Sequence, residues 1–368
     1  MKRDVKLLVV DDSALFRRVV SNVISADPGL TVVGEAKNGL EGVKMTPVVN
    51  PDVVLLDINM PVMDGITALK HIMIRSPKPT VMFSTLTKAG AFVTFDALRC
   101  GAVDFIHKPS RQGALDMEEQ SREILRKIRL AARVKVSSIR YLRQAHSRAE
   151  ADETPDVSAG NVERVFVIGA SEGGYGALLK ILPALDRRLP ATFLVVIHDD
   201  PEHVDSFIRY MDSLAPGLVQ KARTGVLLSP GRAYVSSGME YVTLLRSGAD
   251  HSLHVSPSPF PGRRGAINML MFSAAEAIED RAAGMILSGS GNDGAEGLAE
   301  IARVGGVALV QEPSTAFCDE MPQSAWDMCP SASLVSDRDA AQRFMEICLA
   351  DRPGSKRPPR QSSGLWGL

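Results

Sequence analysis

Residues 165–182 read VFVIGASEGGYGALLKIL. An apolar, β-branched run reaches Gly169, a short loop follows with Gly173, Gly174 and Gly176, and a helical apolar pattern begins after it. That succession is a strand, a tight turn and a helix, the repeating unit of a parallel sheet. Two chemistries use such a turn. Glycines let the backbone approach a phosphate at a helix N-terminus, and Gly169, Ser171 and Gly173 also fit a Gly-x-Ser-x-Gly pattern that presents a serine nucleophile. The turn alone leaves both readings open.

Working outward, the same alternation continues through TFLVVIH, RAYVSSG, YVTLLR, GMILSGSG and GGVALVQ to about Ala350. Pro-Gly pairs at 216–217 and 230–231 suggest a β-hairpin insertion within this series. Towards the N-terminus, VKLLVV, LTVVG, DVVLL, TVMFS and VDFI are each followed by an amphipathic stretch, giving five βα units. Between the two series, residues 134–162 turn polar and read as a linker, and residues 351–368 form a proline-rich basic tail expected to be disordered. The expected architecture is α/β: two doubly wound parallel-sheet domains, at 4–133 and 163–350, joined by that linker.

A chain of 368 residues suits two cores rather than one. Lys and Arg number 42 against 43 Asp and Glu, so the net charge of -1 offers no general attraction to nucleic acid. The four cysteines, Cys100, Cys318, Cys329 and Cys348, lack the close pairing of a zinc site and suit reduced thiols. No segment approaches the ~20 apolar residues of a membrane span. A cytoplasmic location without membrane insertion is the expectation.

The first series carries charge where its strands end. Asp11 and Asp12 follow the first strand, Asp57 ends the third, Ser84 the fourth, and Lys108 follows the fifth. Ligands of open parallel sheets bind at the carboxyl ends of strands, so these side chains should converge. Three converging carboxylates repel unless a cation lies among them, and oxygen-only ligation suits Mg²⁺. With Lys108 and Ser84 added, the set reads as a phosphoryl site in which Asp57 is the acceptor. The segments VDDSALFRR, VLLDINMPVMDG, MFSTLT and DFIHKPS resemble the receiver domains of two-component response regulators. That resemblance implies a flavodoxin-like fold, Mg²⁺-dependent phosphoryl transfer from a histidine kinase to Asp57, and Ser84, Phe105 and Lys108 as switch residues.

In the second series, a dinucleotide site has some appeal because Asp199 and Asp200 close the next strand, but Ser171 stands where that fingerprint has its middle glycine. His198 shares that strand end, and a third strand leads to Asp293. Nucleophile, base and orienting carboxylate would then meet at one rim. Singly, each residue has an ordinary explanation as a cap, a structural histidine or a turn former. VIGASEGG, VVIH and SGSGNDGAEGL, with LSPGRAYV and GGVALVQEPSTA, resemble the catalytic domain of chemotaxis protein-glutamate methylesterases. The resemblance implies hydrolysis of glutamyl methyl esters, or deamidation of glutamines, on cytoplasmic chemoreceptor helices, with Ser171, His198 and Asp293 as the triad and no cofactor in this domain. It also implies a receiver that restrains the catalytic face until phosphorylated. Backbone N–H groups around Glu172, Gly173 and Ser290 are the expected oxyanion donors and substrate contacts.

Several residues depart from that family's pattern. Glu172 stands where Thr is usual, Ser290 where Met is usual, Asp199 and Asp200 alter the segment after the base, and Glu320 replaces a glycine. Acids beside nucleophile and base are expected to favour the charged imidazole. They also leave room for a second reading, a receiver fused to a weakened effector that competes for the kinase's phosphoryl groups.

Overall fold

The computed structural model describes residues 4–84, 88–108, 114–136, 162–247, 250–258 and 265–350, with the side chains of residues 84, 88, 89 and 114–117 excepted. Most of the expected linker and the whole C-terminal tail lie outside the described residues.

The first sheet alternates β1 (Val5–Val10), α1 (Ala14–Ser25), β2 (Leu30–Ala36), α2 (Gly39–Val49), β3 (Val53–Asp57), α3 (Gly65–Arg75), β4 (Thr80–Ser84), α4 (Lys88–Arg99), β5 (Asp104–His107) and α5 (Ala114–Ala131). All its pairings are parallel, in the order β2-β1-β3-β4-β5, the flavodoxin-like arrangement. Leu7 to Val10 and Val53 to Leu56 are fully buried, because helices cover both faces and a parallel strand then has no wet side. Helix starts follow side-chain caps: Ser13, Asn38 and Asp64 accept N–H bonds from Phe16, Glu41 and Thr67.

The second sheet begins with β6 (Arg164–Ala170), α6 (Gly174–Ile181), β7 (Ala191–Ile197), α7 (Pro201–Leu214), β8 (Val219–Lys221) and β9 (Ala233–Ser237). After β10 (Glu240–Ser247) and β11 (Asp250–Pro257) it continues as α8 (Ala266–Ile278), β12 (Ala282–Ile286), α9 (Ala295–Arg303), β13 (Val307–Gln311), α10 (Glu320–Met328), β14 (Ser333–Val335) and α11 (Ala340–Ala350). Seven strands pair in parallel in the order β14-β13-β12-β6-β7-β9-β8. The chain therefore winds outward in both directions from β6. The crevice at this switch point is where such sheets bind ligands. A hairpin is present, but it is the separate antiparallel pair β10–β11. The Pro-Gly pairs instead flank β8 and β9, which join the parallel sheet; Gly231 has φ 66° and packs so close to the Arg187 carbonyl that a Cβ would collide with it.

The two sheets share one continuous apolar cluster, joined where α4 packs on α6 and α7. Phe95 of α4 lies 5.3 Å from Tyr175 and Tyr210 and 5.4 Å from Phe207, ring centre to ring centre. Tyr210 donates its hydroxyl to Asp96 at 2.6 Å and accepts from Arg99 at 3.3 Å. Among the described residues, no helix is long and apolar enough to cross a membrane.

Candidate active site

Ser171 follows β6, the central strand at the switch point, and is buried. Its N–H bonds the Ser288 carbonyl at 3.0 Å, and its own carbonyl accepts from Gly174 at 2.8 Å, closing the turn into α6. Gly173, at φ 75°, makes that turn, and a Cβ there would strike Phe317 and the Ser288 hydroxyl. Gly289 passes equally close, since a Cβ on it would stand 2.7 Å from the Ser171 Cβ. The Ser288 hydroxyl donates to the Glu172 carbonyl at 2.6 Å, while its N–H is held by the buried Gln311 side chain at 2.8 Å. Gly173 and Gly289 are thus needed for the close approach of two strand-end loops.

His198 follows the adjacent strand β7, and its N–H bonds the Ala170 carbonyl at 2.8 Å, tying it through the backbone to the residue before Ser171. Its Nε2 lies 2.7 Å from Asp293 Oδ2. An ionised carboxylate only accepts, so Nε2 carries the proton and Nδ1 is left as the basic nitrogen. Asp293 in turn accepts the first N–H groups of α8, from Ile267 at 3.0 Å and Asn268 at 3.0 Å. Burial works to raise its carboxyl, but His198 and these N–H groups prevail and hold it below the usual carboxylate value. Among the described residues no hydrogen bond joins the Ser171 hydroxyl to the imidazole. Gly238 supports the ring from the other side, where a Cβ would come within 2.8 Å of His198 Nδ1. Neither Glu172 nor Gly173 spends its backbone N–H on an acceptor among the described residues, so both remain available to a developing oxyanion. Ser290 is half-buried in the loop before Asp293, beside an open cleft of about 480 Å³ lined by Gly291, Asn292, Asp319, Glu320, Gln323 and Ser324.

The acidic departures face elsewhere. Glu172 pairs with Arg126 of α5, a residue of the first sheet's unit, and Arg126 Nη2 also reaches Glu320 at 3.7 Å. Burial raises the Glu172 carboxyl, with the Arg126 cation opposing it. Glu320 accepts the Gly291 N–H at 2.9 Å. Asp199 accepts the Tyr175 hydroxyl at 2.9 Å and pairs with His203 at 3.2 Å; although burial would raise it, these partners lower its carboxyl to about 2. Asp200 caps α7. The expectation that these acids act on the imidazole is therefore replaced by a set of structural and inter-sheet contacts. Arg126 and Asn268 were not singled out from sequence. Arg126 sits in a helix rich in both charges, where a cation reads as solvated surface, and Asn268 acts from a helix start that nothing nearby marks.

The strand-end acids of the first sheet converge as expected. Ligand oxygens of Asp11, Asp12 and Asp57 lie within 4.8 Å of one another. Lys108 Nζ stands 2.7 Å from Asp11 Oδ2 and 2.8 Å from Asp57 Oδ2. Apart from Lys108, Asp11 Oδ2 has no polar side-chain or backbone partner among the described residues, which leaves it capacity for a further cation. Buried, all-oxygen and open on the exposed Asp12 side, the cluster fits Mg²⁺. Burial raises the Asp57 carboxyl against the pull of Lys108. Ser84 ends β4 beside His107, its side chain being outside the described residues. Phe105 is buried at the inter-sheet contact, 6.0 Å from Tyr175.

Comparison with known proteins identifies both units. Residues 166–343 match the CheB methylesterase family and residues 7–118 the response regulator receiver domain. A protein-glutamate methylesterase/protein-glutamine glutaminase of Pyrococcus horikoshii is 38% identical over 329 residues, covering 88% of each chain. One from Oleidesulfovibrio alaskensis is 35% identical and covers 93% of this chain and 98% of its own. The crystal structure of the Thermotoga maritima CheB methylesterase catalytic domain is 26% identical, with a TM-score of 0.48 over 50% of this chain and 98% of that one. With relatives of this identity matched nearly end to end, the chain belongs to the family of protein-glutamate methylesterases/protein-glutamine glutaminases that carry an N-terminal receiver domain.

Proposed function

We propose that residues 163–350 hydrolyse glutamyl methyl esters on the cytoplasmic helices of chemoreceptors, and deamidate receptor glutamines, under control of a receiver at residues 4–133. The observation that carries the chemistry is the His198–Asp293 pair at 2.7 Å, one strand away from a serine at the switch point. Ser171 Oγ attacks the ester carbonyl and its proton passes to His198 Nδ1. Negative charge on the carbonyl oxygen is met by the N–H groups of Glu172 and Gly173, with Ser290 contacting the substrate. Collapse breaks the ester C–O bond, or the amide C–N bond of a glutamine, and His198 returns the proton so that methanol or ammonia departs. Water then attacks the acyl-enzyme, again losing a proton to His198, which passes it to Ser171 Oγ as the acyl C–O bond breaks and the glutamate is released. Asp293 stabilises the imidazolium at both stages.

In the receiver, Asp57 would accept a phosphoryl group from a histidine kinase. Asp11, Asp12 and Asp57 would hold Mg²⁺, which neutralises phosphoryl charge when bound. Lys108, already against Asp57, would turn to a phosphoryl oxygen, and Ser84 and Phe105 would respond. Docking of α4 and α5 against the catalytic unit, with Arg126 on the residue after the nucleophile, supports a restrained hydrolase in the unphosphorylated state. The test of the activity is methanol release from methylated chemoreceptor, with receptor mass falling by one methyl per ester. Absence of both, from a folded and phosphodonor-treated chain, overturns it.

A further inference from the structure

The departures from the family pattern left Asp199 without an obvious role, and its partners lead back to the receiver. His107, the last residue of β5, stacks on His203 of α7 with ring centres 4.2 Å apart and planes at 22°. His203 pairs with Asp199, Asp199 accepts the Tyr175 hydroxyl, Tyr175 meets Phe105, and Phe105 meets His107 edge-on at 5.2 Å. Two receiver residues and three catalytic-unit residues thus close a ring of contacts that includes Asp199, the residue after His198. His107 Nδ1 is buried within it and has no hydrogen-bond partner.

We propose that the His107–His203 stack is an acid-released clasp: protonation of His107 expels it from the docked interface and uncovers the catalytic face without phosphorylation. The proposal rests on the reading that the docked receiver restrains the hydrolase. The groups facing His107 are His203 from α7, Asp199 and Asp200 from the segment after β7, Lys127 from α5 and Phe105 from its own strand. A proton on Nδ1 would find no acceptor, and its charge would lie against a second imidazole and near the Lys127 ammonium. The two aspartates oppose this but are outweighed: burial first, then His203, lowers His107 to about 3. A histidine released into water titrates near its ordinary value of about 6.5. The docked form therefore binds fewer protons than the open one. Docking is at full strength above about pH 6.5 and weakens by up to about tenfold for each pH unit below it.

The experiment is small-angle X-ray scattering of the full, unphosphorylated chain from pH 7.5 to 5.0, with circular dichroism confirming the fold. Wild type is expected to expand below pH 6.5. His107→Phe, which keeps an aromatic face for His203 but has no site for the proton, stays compact. Glu172→Gln, which removes a titratable carboxyl from the ionic contacts that Arg126 makes between the sheets, still expands. A wild type as compact at pH 5.0 as at 7.5, or a His107→Phe variant that opens at the same pH, overturns the clasp. Scattering reads docking and not hydrolysis, so either result leaves the test of restraint separate.

Discussion

In the receiver, Lys108 already touches Asp11 and Asp57 at 2.7 and 2.8 Å, whereas in the catalytic unit only half of the relay is made. Asp293 holds His198, yet the serine hydroxyl and the imidazole are not joined. Both sites lie at the switch point of a parallel sheet, built from side chains at neighbouring strand ends, so the difference is not one of fold. It lies in what each site waits for. The receiver is poised to accept a phosphoryl group. The catalytic unit has the His198 ring oriented and Ser171 held by backbone, while Arg126 sits on the adjacent Glu172. On the proposed function, the regulated step would be completion of the Ser171–His198 contact, with the surrounding groups in place beforehand.

The largest loss should come from removing either member of the incomplete pair. Ser171→Ala and His198→Ala should each lower the rate of methanol release by about 10³-fold or more, as for other triads. Phosphorylation of Asp57 should be unaffected in both, which acetyl phosphate and mass spectrometry would check. A variant hydrolysing near the wild-type rate removes Ser171 or His198 from the mechanism. Gly238→Ala is next. The added methyl meets His198 Nδ1 at 2.8 Å, so the ring must give way, and a misplaced catalytic group costs up to about 10²-fold. Because receptor binding is not involved, kcat should fall with KM unchanged. An unchanged kcat would show that the imidazole has room.

Smaller still is the ionic contact between the units. Arg126 and Glu172 are both partly exposed, and such pairs contribute at most about 1 kcal/mol. Arg126→Gln should therefore raise the unphosphorylated rate by no more than about fivefold, and added salt should raise the wild-type rate in the same direction. A fall in basal rate would mean that Arg126 supports catalysis instead of restraining it.

What could be read in the sequence was whatever sits at the end of an apolar run. Asp11, Asp57, Lys108, Ser171 and His198 all stand at or just beyond a strand terminus, where charge and hydroxyl break a buried pattern. β8 and β14, three residues each, are too short to show periodicity, and the Pro-Gly pairs pointed to a hairpin at β8 and β9 when it lies at β10 and β11. Long-range partnerships were the other silent class. Glu172 looked like a charge beside the oxyanion because Arg126, its partner, lies in another unit and resembles any surface arginine. His107 and His203 are single histidines 96 positions apart, and only the docked fold puts them in contact. Asn268 likewise holds the turn after Asp293, accepting from Gly294 at 3.0 Å and Gly297 at 2.8 Å, with no local pattern to announce it.

On the proposed function, the hydrolase is complete except for a contact that phosphorylation of Asp57 would allow. The most direct measurement is methanol release from methylated receptor by wild type and by Asp57→Asn, each with and without Mg²⁺ and acetyl phosphate. Wild type should accelerate with the phosphodonor, while Asp57→Asn should keep the basal rate under both conditions. A wild-type rate indifferent to the phosphodonor while Asp57 is demonstrably phosphorylated, or an equal acceleration in Asp57→Asn, would contradict the account.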